Sequence, residues 1–444
     1  MTVKRSALKQ QLLEQARKRT APRAANASAT LPSTHGKGSA EQRQVPERFT
    51  RFDAQPGYQQ IAMMRQAADQ LGLVDPFFKV HEGTAGATSV INGQTCINFA
   101  SYNYLGFSGD PRINQAACDA VARYGTSVSA SRVVSGERPI HQELEQALAT
   151  AYDVEDAVVF VSGHATNVST LGYLLGPKDL VLHDEYIHNS SLVGAQLSGA
   201  KRMSFSHNDP EALETLLANH RHQFERVLVV IEGLYSMDGD IPDLPRFIEL
   251  KQRFQAWLMV DEAHSFGVMG DTGLGLREHF DINPRDVDIW MGTMSKAMAG
   301  CGGYIAGSKP LVETLRYLAP GFLYSVGMPA QVAAPSLAAL QLMQQEPERV
   351  QRLHDISRYF LEQAKERGLD TGQSIGAAVV PVIVGSSAAA ARLSNGLLEQ
   401  HINVQPILYP AVPEKSARLR FFLSCDHTRT HIDQTLHALA SLLP

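Results

Sequence analysis

Cysteine is scarce in this chain, and what there is lies scattered. Cys96, Cys118, Cys301 and Cys425 are far apart and form no CxxC pair. That spacing argues against a disulfide framework or a zinc site, so no metal is expected, and it fits a reducing compartment such as the cytoplasm. Long apolar runs are also missing. The longest, Val227 to Ile231 and Ala377 to Val384, are strand-sized, and nothing in the sequence reads as a membrane span. Charge of one sign is in short supply. The formal net charge of −5 provides no field that would favour nucleic acid. What remains is a chain of 444 residues, long enough to bury a large core and predicted to hold two structured domains.

The N-terminal arm differs from the rest. Met1 to Arg19 is basic and spaces Leu8, Leu12 and Ala16 along one face of a short helix. Ala21 to Gln44 is rich in Ala, Ser, Thr, Pro and Gly and reads as a linker. The arm has no apolar centre, which excludes a secretory signal. Its Arg-rich, acid-poor composition suits a mitochondrial transit peptide or, alternatively, a flexible or docking tail on a cytoplasmic protein. The expected layout is an arm and linker over 1–48, an N-terminal segment over 49–106, a large domain over 107–340 and a small domain over 341–444.

Periodicity then sets the elements. Tyr58 to Leu73, Ile113 to Tyr124 and Pro139 to Tyr152 have helical spacing. Ala87 to Phe99 alternates and turns at Asn92-Gly93, which predicts a hairpin. Asp156 to Val161, Leu180 to His183, Arg226 to Ile231, Trp257 to Val260 and Ile289 to Met291 are short apolar strands separated by helical runs. Asn208-Asp209-Pro210 opens one of those helices. The alternation predicts an α/β domain with a largely parallel sheet covered by helices on both faces. After about Gln341 the pattern shifts to a helix over Glu348 to Arg367, strands at Ala377 to Val384, Asn403 to Pro406 and Arg418 to Ser424, and a last helix from Thr430 to Leu443. That is a smaller α+β domain.

Ligands of parallel sheets gather at the carboxyl ends of the strands. There this sequence places His183-Asp184, Glu232, Asp261 and the run Thr293-Met294-Ser295-Lys296. Lys296 lies just before Gly300-Cys301-Gly302-Gly303, and Asp261 opens Asp261-Glu262-Ala263-His264. Alone, the first is an ordinary solvated loop and the second an ordinary strand end. Together they supply most of what pyridoxal phosphate (PLP) asks of a protein. A lysine amine forms a Schiff base with the cofactor aldehyde. A buried aspartate keeps the pyridine nitrogen protonated, so the ring accepts electrons. A histidine placed like His264 reaches the ring oxygen, and glycines let backbone approach closely.

From about Asn98 to the C-terminus the chain resembles the α-oxoamine synthase family of fold-type I PLP enzymes. The motifs are Ser101-Tyr102-Asn103-Tyr104-Leu105-Gly106, Ser131-Arg132-Val133-Val134-Ser135-Gly136, Glu232-Gly233-Leu234-Tyr235-Ser236-Met237-Asp238-Gly239-Asp240, those of Asp261 and Lys296, and Ala417-Arg418-Leu419-Arg420. The family includes 8-amino-7-oxononanoate synthase, 5-aminolevulinate synthase, 2-amino-3-ketobutyrate CoA ligase and serine palmitoyltransferase. The resemblance implies a fold-type I PLP-dependent transferase, with a mainly parallel seven-stranded sheet between helices in the large domain. It also implies a homodimer with the cofactor site at the subunit interface.

The same resemblance assigns roles. Lys296 becomes the Schiff-base lysine and later the proton-transfer base. Asp261 binds the pyridine nitrogen and His264 the phenolic oxygen. His188 stacks on the ring and steers substrate, unless it is a structural histidine. Ser162, Gly163 and His164 cradle the phosphate, although the family usually carries Tyr or Phe where His164 stands. Thr293 is the expected hydroxyl donor, and Ser325 matches a segment that reaches the phosphate from the neighbouring subunit. Val326 replaces a frequent second hydroxyl there. Arg420 takes the substrate carboxylate, with Asn103 as its second contact. Glu232 and Ser236 line the pocket near the ring oxygen. Arg132 and His141 fall where the family meets the thioester. Arg418 is as well explained by a solvated strand charge.

The implied reaction is a decarboxylative Claisen condensation. A small amino acid (Gly, Ala or Ser) joins an acyl thioester, giving an α-amino ketone, CO2 and free thiol. The Tyr124 to Arg132 segment and the segment Phe49 to Gly83, with its run Asp75 to Gly83, look like synthases of polyketide assembly lines, so the thioester is either acyl-CoA or an acyl-carrier protein. A basic arm suits docking of an acidic carrier. Asp261 and Lys296 alone also fit an aminotransferase. A non-catalytic partner subunit, as in serine palmitoyltransferase complexes, would lack the lysine that this chain retains.

Overall fold

The computed structural model describes residues 45–70 and 72–443. The basic helix expected over Met1 to Arg19 and the linker over Ala21 to Gln44 lie outside the described residues. The chain divides into two compact units between Met64 and Arg65. Among its described residues the first carries a 3-10 turn at Glu47–Phe49 and the start of the helix Pro56–Gln70, which buries none of its residues.

The second unit opens with β1 (His81–Glu82), β2 (Thr88–Ile91) and β3 (Gln94–Asn98). Asn92 and Gly93 connect β2 to β3 with φ of 53° and 73°, the left-handed pair that a tight hairpin turn requires. The large sheet follows, from β4 (Asp156–Phe160), β5 (Leu180–Asp184), β6 (Lys201–Phe205), β7 (Val227–Glu232), β8 (Trp257–Asp261), β9 (Ile289–Thr293) and β10 (Gly303–Gly307). Its seven strands run in the order β4-β10-β9-β8-β7-β5-β6. Only β10 is antiparallel to its neighbours. Burial on both faces explains the apolar runs. Val227, Val229 and Ile231 of β7 point into one core, while Leu228 and Val230 point into the other.

Two strands of this sheet escape the hydrophobic pattern. β6 reads Lys-Arg-Met-Ser-Phe and forms an edge, where charge on the open side discourages further pairing. β10 begins and ends on glycine and inserts between β4 and β9. Beyond the sheet come β11 (Val379–Ile383), β12 (Ile402–Asn403), β13 (Gln405–Ile407) and β14 (Arg418–Phe422). The run expected as one strand from Asn403 to Pro406 is two. β12 pairs with β3 of the N-terminal hairpin, while β13 pairs with β14. The hairpin at 88–98 thus shares a sheet with residues from the C-terminal region. Among the described residues no helix is long and apolar enough to cross a membrane.

Candidate active site

The carboxyl ends of β4, β5, β7, β8 and β9 open on one cleft of about 360 Å³, within the range of small-molecule sites. Ser162, Gly163, His164, His188, Glu232, Ser236, Asp261, His264, Thr293, Lys296 and Arg420 all line it. A larger cavity of about 480 Å³ lies at the opposite strand ends, around Trp257 and Val287, and holds no lysine or histidine.

Asp261 is the last residue of β8 and is buried. One carboxylate oxygen accepts the Ala263 N–H at 3.0 Å, and the other accepts the Asn167 side-chain amide at 2.9 Å. Two residues past its strand the chain turns to bury His264. The His264 Nδ1 lies 2.7 Å from the Tyr104 hydroxyl. Burial first, then the cations Lys296 and Arg420, hold His264 well below its ordinary range. The ring is therefore neutral. Burial also keeps the Tyr104 phenol protonated, and where its O–H donates to Nδ1 the His264 proton sits on Nε2.

Lys296 follows β9 in a tight loop closed by backbone bonds from Met294 to Gly302 and from Gly300 to Met294. The loop packs against Gly267, whose φ of +80° is left-handed and whose missing Cβ would sit 2.2 Å from the Ala297 Cβ. Burial lowers the Lys296 amine from 10.5 to about 8; Asp261 and Glu232 oppose that shift and Arg420 adds to it. Burial, followed by the Asp261 charge, pushes Glu232 up. A Glu232 carboxylate oxygen accepts the His188 N–H at 2.6 Å, which ties β7 to the loop after β5.

At the other end of the cleft, Ser162 caps the helix Gly163–Leu174. The first-turn N–H groups of such a helix favour an anion. Space there is tight. A Cβ on Gly163 would lie 2.8 Å from the Thr293 Oγ1, so glycine leaves room for a group to approach the backbone. The Thr293 hydroxyl donates to the Gly302 carbonyl at 2.8 Å, and Ser295 lies 2.9 Å away on the exposed side. Thr293 therefore spends its own proton within the wall.

Arg420 comes from β14. Its Nη1 donates to the Ser236 carbonyl at 3.1 Å, and its guanidinium carbon lies 4.5 Å over the Phe422 ring. The Arg420 Nε is buried without a hydrogen-bond partner. Arg418 is no solvated charge. It is buried and paired with Asp238 at 2.6 Å, and it also donates to the Met237 carbonyl.

Four expected site residues stand elsewhere. Asn103 closes a turn, exchanging side-chain bonds with the Ser108 backbone. Arg132 is buried in ion pairs with Glu137 and Glu145. His141 is buried, bonded to the Arg138 N–H and the Met328 carbonyl. Ser325 is half-buried and donates to the Val326 carbonyl. Conversely, the cleft includes residues not singled out from the sequence. Tyr102 lies with its ring 5.6 Å from the Lys296 amine, and Asn167 and Ser190 bond to the residues around them. Tyr102 and Tyr104 sit within a recognised motif, which was the available signal. Asn167 and Ser190 gave none.

These residues fit pyridoxal phosphate. The cleft combines an amine, a carboxylate for a ring nitrogen, a donor for a ring oxygen and a helix start for a phosphate. The model of aminotransferase class I and II matches residues 94–439. An 8-amino-7-oxononanoate synthase of Symbiobacterium thermophilum is 41% identical over 84% of this chain and 94% of the relative. A solved structure of SPT with PLP internal aldimine is 29% identical, with a TM-score of 0.83 over 87% of this chain and 97% of that one. The 8-amino-7-oxononanoate synthase of Francisella tularensis is 25% identical, with a TM-score of 0.68 over 78% and 97%. The chain belongs to the aminotransferase class I and II family. Within it, the chain is a PLP-dependent α-oxoamine synthase, an acyltransferase of the fold-type I class.

Proposed function

We propose that this enzyme joins glycine, alanine or serine to an acyl thioester, releasing CO2 and free thiol. The observation that carries this reading is the convergence of Lys296, Asp261, His264 and Arg420 on one cleft. Lys296, Asp261, His264, His188, Ser162, Gly163, His164, Glu232 and Ser236 would hold the cofactor, with Thr293 shaping the wall beside Gly163 rather than donating its hydroxyl proton. Bound pyridoxal phosphate supplies an electron sink for negative charge at the amino acid's Cα.

The protein's part is positional and protonic. Arg420 binds the substrate carboxylate through its free Nε edge, because Ser236 already occupies Nη1. The Lys296 amine, neutral above about pH 8, takes the Cα proton. With pyridoxal phosphate bound, Asp261 would keep the ring nitrogen protonated, and neutral His264 would donate a hydrogen bond to the ring oxygen. The new carbon–carbon bond joins Cα to the acyl carbon as the thiolate leaves. The carboxyl carbon then departs as CO2, and a proton returns to Cα.

The chain also carries exposed Tyr317, Leu318, Tyr324 and Val326 beside Ser325. That apolar surface supports a homodimer in which Ser325 serves the partner's site. A cytoplasmic location and a thioester borne on CoA or on an acyl-carrier protein complete the reading. The test is to incubate the PLP-loaded protein with each amino acid and an acyl-CoA, then measure thiol and CO2. Equal release of both supports the proposal; transfer of the amino group to a keto acid without either product refutes it.

A further inference from the structure

His188 caps the helix Asn189–Ser198, and its Nδ1 faces back toward that helix. The Ser190 backbone N–H donates to this nitrogen at 3.3 Å, and the Ser190 hydroxyl lies 2.7 Å from it. A backbone N–H can only donate, so the nitrogen that receives it bears no proton.

The hydroxyl has a second neighbour, which extends the chain of bonds. The Asn167 Nδ2 lies 2.9 Å from the Ser190 Oγ and 2.9 Å from an Asp261 carboxylate oxygen. A carboxylate only accepts, so the Asn167 amide must turn its NH2 toward Asp261. The second proton of that NH2 then enters the Ser190 Oγ. Because the backbone N–H already marks His188 Nδ1 as an acceptor, the 2.7 Å contact is made by the Ser190 hydroxyl donating its one proton, while one of its oxygen lone pairs receives Asn167. The orientation carries a cost that confirms what drives it. The Asn167 Oδ1 is left buried with no partner. A flip would place that oxygen against the Asp261 carboxylate.

We propose that Ser190 is a positioning residue that locks neutral His188 with its proton on Nε2, and that Asn167 ties this lock to the charge on Asp261. The chain of bonds runs with a single polarity, from Asn167 to Asp261 on one side and from Asn167 through Ser190 to His188 on the other. Its consequence is specific. His188 meets the cleft as an N–H donor and has no free lone pair to act as a base. Donor character suits a carboxylate or a developing oxyanion on the substrate. It also leaves proton removal to Lys296. Burial holds His188 below its ordinary value, so the neutral ring is the form concerned. The lock itself is a property of the cofactor-free chain; its catalytic consequence rests on the synthase reading above.

The test begins without cofactor. The full chain is labelled with 15N at both histidine ring nitrogens, and long-range 1H–15N correlations report each tautomer. The His188 signals are assigned by their loss in His188→Gln. The expected result is a protonated Nε2 and a bare Nδ1 for His188. In Ser190→Ala only the longer 3.3 Å backbone bond still holds Nδ1 as an acceptor, so the second tautomer gains population, and Ser190→Thr, which keeps the hydroxyl, restores the first. In the loaded enzyme Ser190→Ala lowers kcat/KM by about three- to tenfold, the worth of one hydrogen bond, while Ser190→Thr recovers it and PLP affinity stays unchanged. A proton on Nδ1 of wild-type His188 overturns the lock whether or not any variant folds. A tautomer shift in Ser190→Ala with kcat/KM unaltered overturns its catalytic consequence. Absence of synthase activity with every thioester defeats the functional reading instead, and the cofactor-free spectra still decide the lock.

Discussion

Replacing Arg420 by lysine keeps the charge and removes the planar fork. The structure says how much that should matter. Arg420 is anchored by the Ser236 carbonyl on Nη1 and by the Phe422 ring 4.5 Å below its guanidinium carbon. Its Nε has no partner and is buried, a state that costs free energy until an acceptor arrives. A substrate carboxylate on that edge would gain two charge-assisted bonds, of which lysine preserves one. Losing one such bond costs about 1.5–3 kcal/mol, or roughly 10- to 150-fold. Arg420→Lys should therefore lower kcat/KM for the amino acid by that factor at saturating thioester. PLP affinity, followed by fluorescence quenching of the cofactor-free protein, should not change. Should the variant keep its amino-acid KM and kcat but lose cofactor affinity, Arg420 serves the cofactor and the assignment is wrong.

Further outcomes follow from the same geometry. Only the neutral Lys296 amine attacks the cofactor aldehyde, so the rate of PLP uptake by cofactor-free protein should rise with pH through about 8; a midpoint in the ordinary lysine range would contradict the burial argument. Burial opposes charge on His207, yet the hydrogen bonds it donates to Asp184 and Asp240 outweigh it and push His207 up to about 10. A raised histidine stabilises the fold fully below its unfolded value of about 6.5, and this contribution fades as pH rises through about 10. His207→Gln, which retains one donor, should cost about 1.5–3 kcal/mol by urea unfolding at neutral pH, and the deficit should shrink above pH 10; a pH-independent deficit would mean that packing, not charge, is what the variant lost. Gly267→Ala adds about 1–2 kcal/mol of left-handed strain to a contact 2.2 Å from the Ala297 Cβ. Its measurable effect is loss of PLP on dialysis, because the strained loop carries the neighbouring lysine; full retention of PLP would show that the loop accommodates a methyl group freely.

Parts of this fold were legible because their physics is local. β7, β8 and β9 are buried on both faces, so each reads as an unbroken apolar run. The hairpin announces itself through Asn92-Gly93, whose backbone few other pairs adopt. β6 and β10 did not stand out, since one is a charged edge and the other is bounded by glycine. No local pattern shows that a short run divides between two sheets, as 402–407 does.

The site divides in the same way. Lys296, Asp261 and His264 follow strand ends and carry unusual chemistry, so their order in the chain is informative. Asn167 matters through a contact with a residue 94 positions away, and Tyr104 through one 160 away. Neither distance is written in the local sequence. Arg132 and His141 show the opposite situation. Their motif matches, yet in this chain their side chains are engaged by Glu137, Glu145 and the Met328 carbonyl. His207 was hidden by its neighbour. Asp209 caps the following helix, accepting the Ala212 N–H at 2.9 Å, and beside that local signal nothing in the sequence marks the histidine two residues earlier.

The most direct test of the central claim is a titration of PLP-loaded protein with glycine, L-alanine and L-serine, each with and without a fatty acyl-CoA. Absorbance, thiol and CO2 are followed together. The account predicts a saturable absorbance change with one amino acid, and thiol and CO2 released in equal amounts once the thioester is added. Amino-group transfer to a keto acid with no thiol and no CO2 would contradict it.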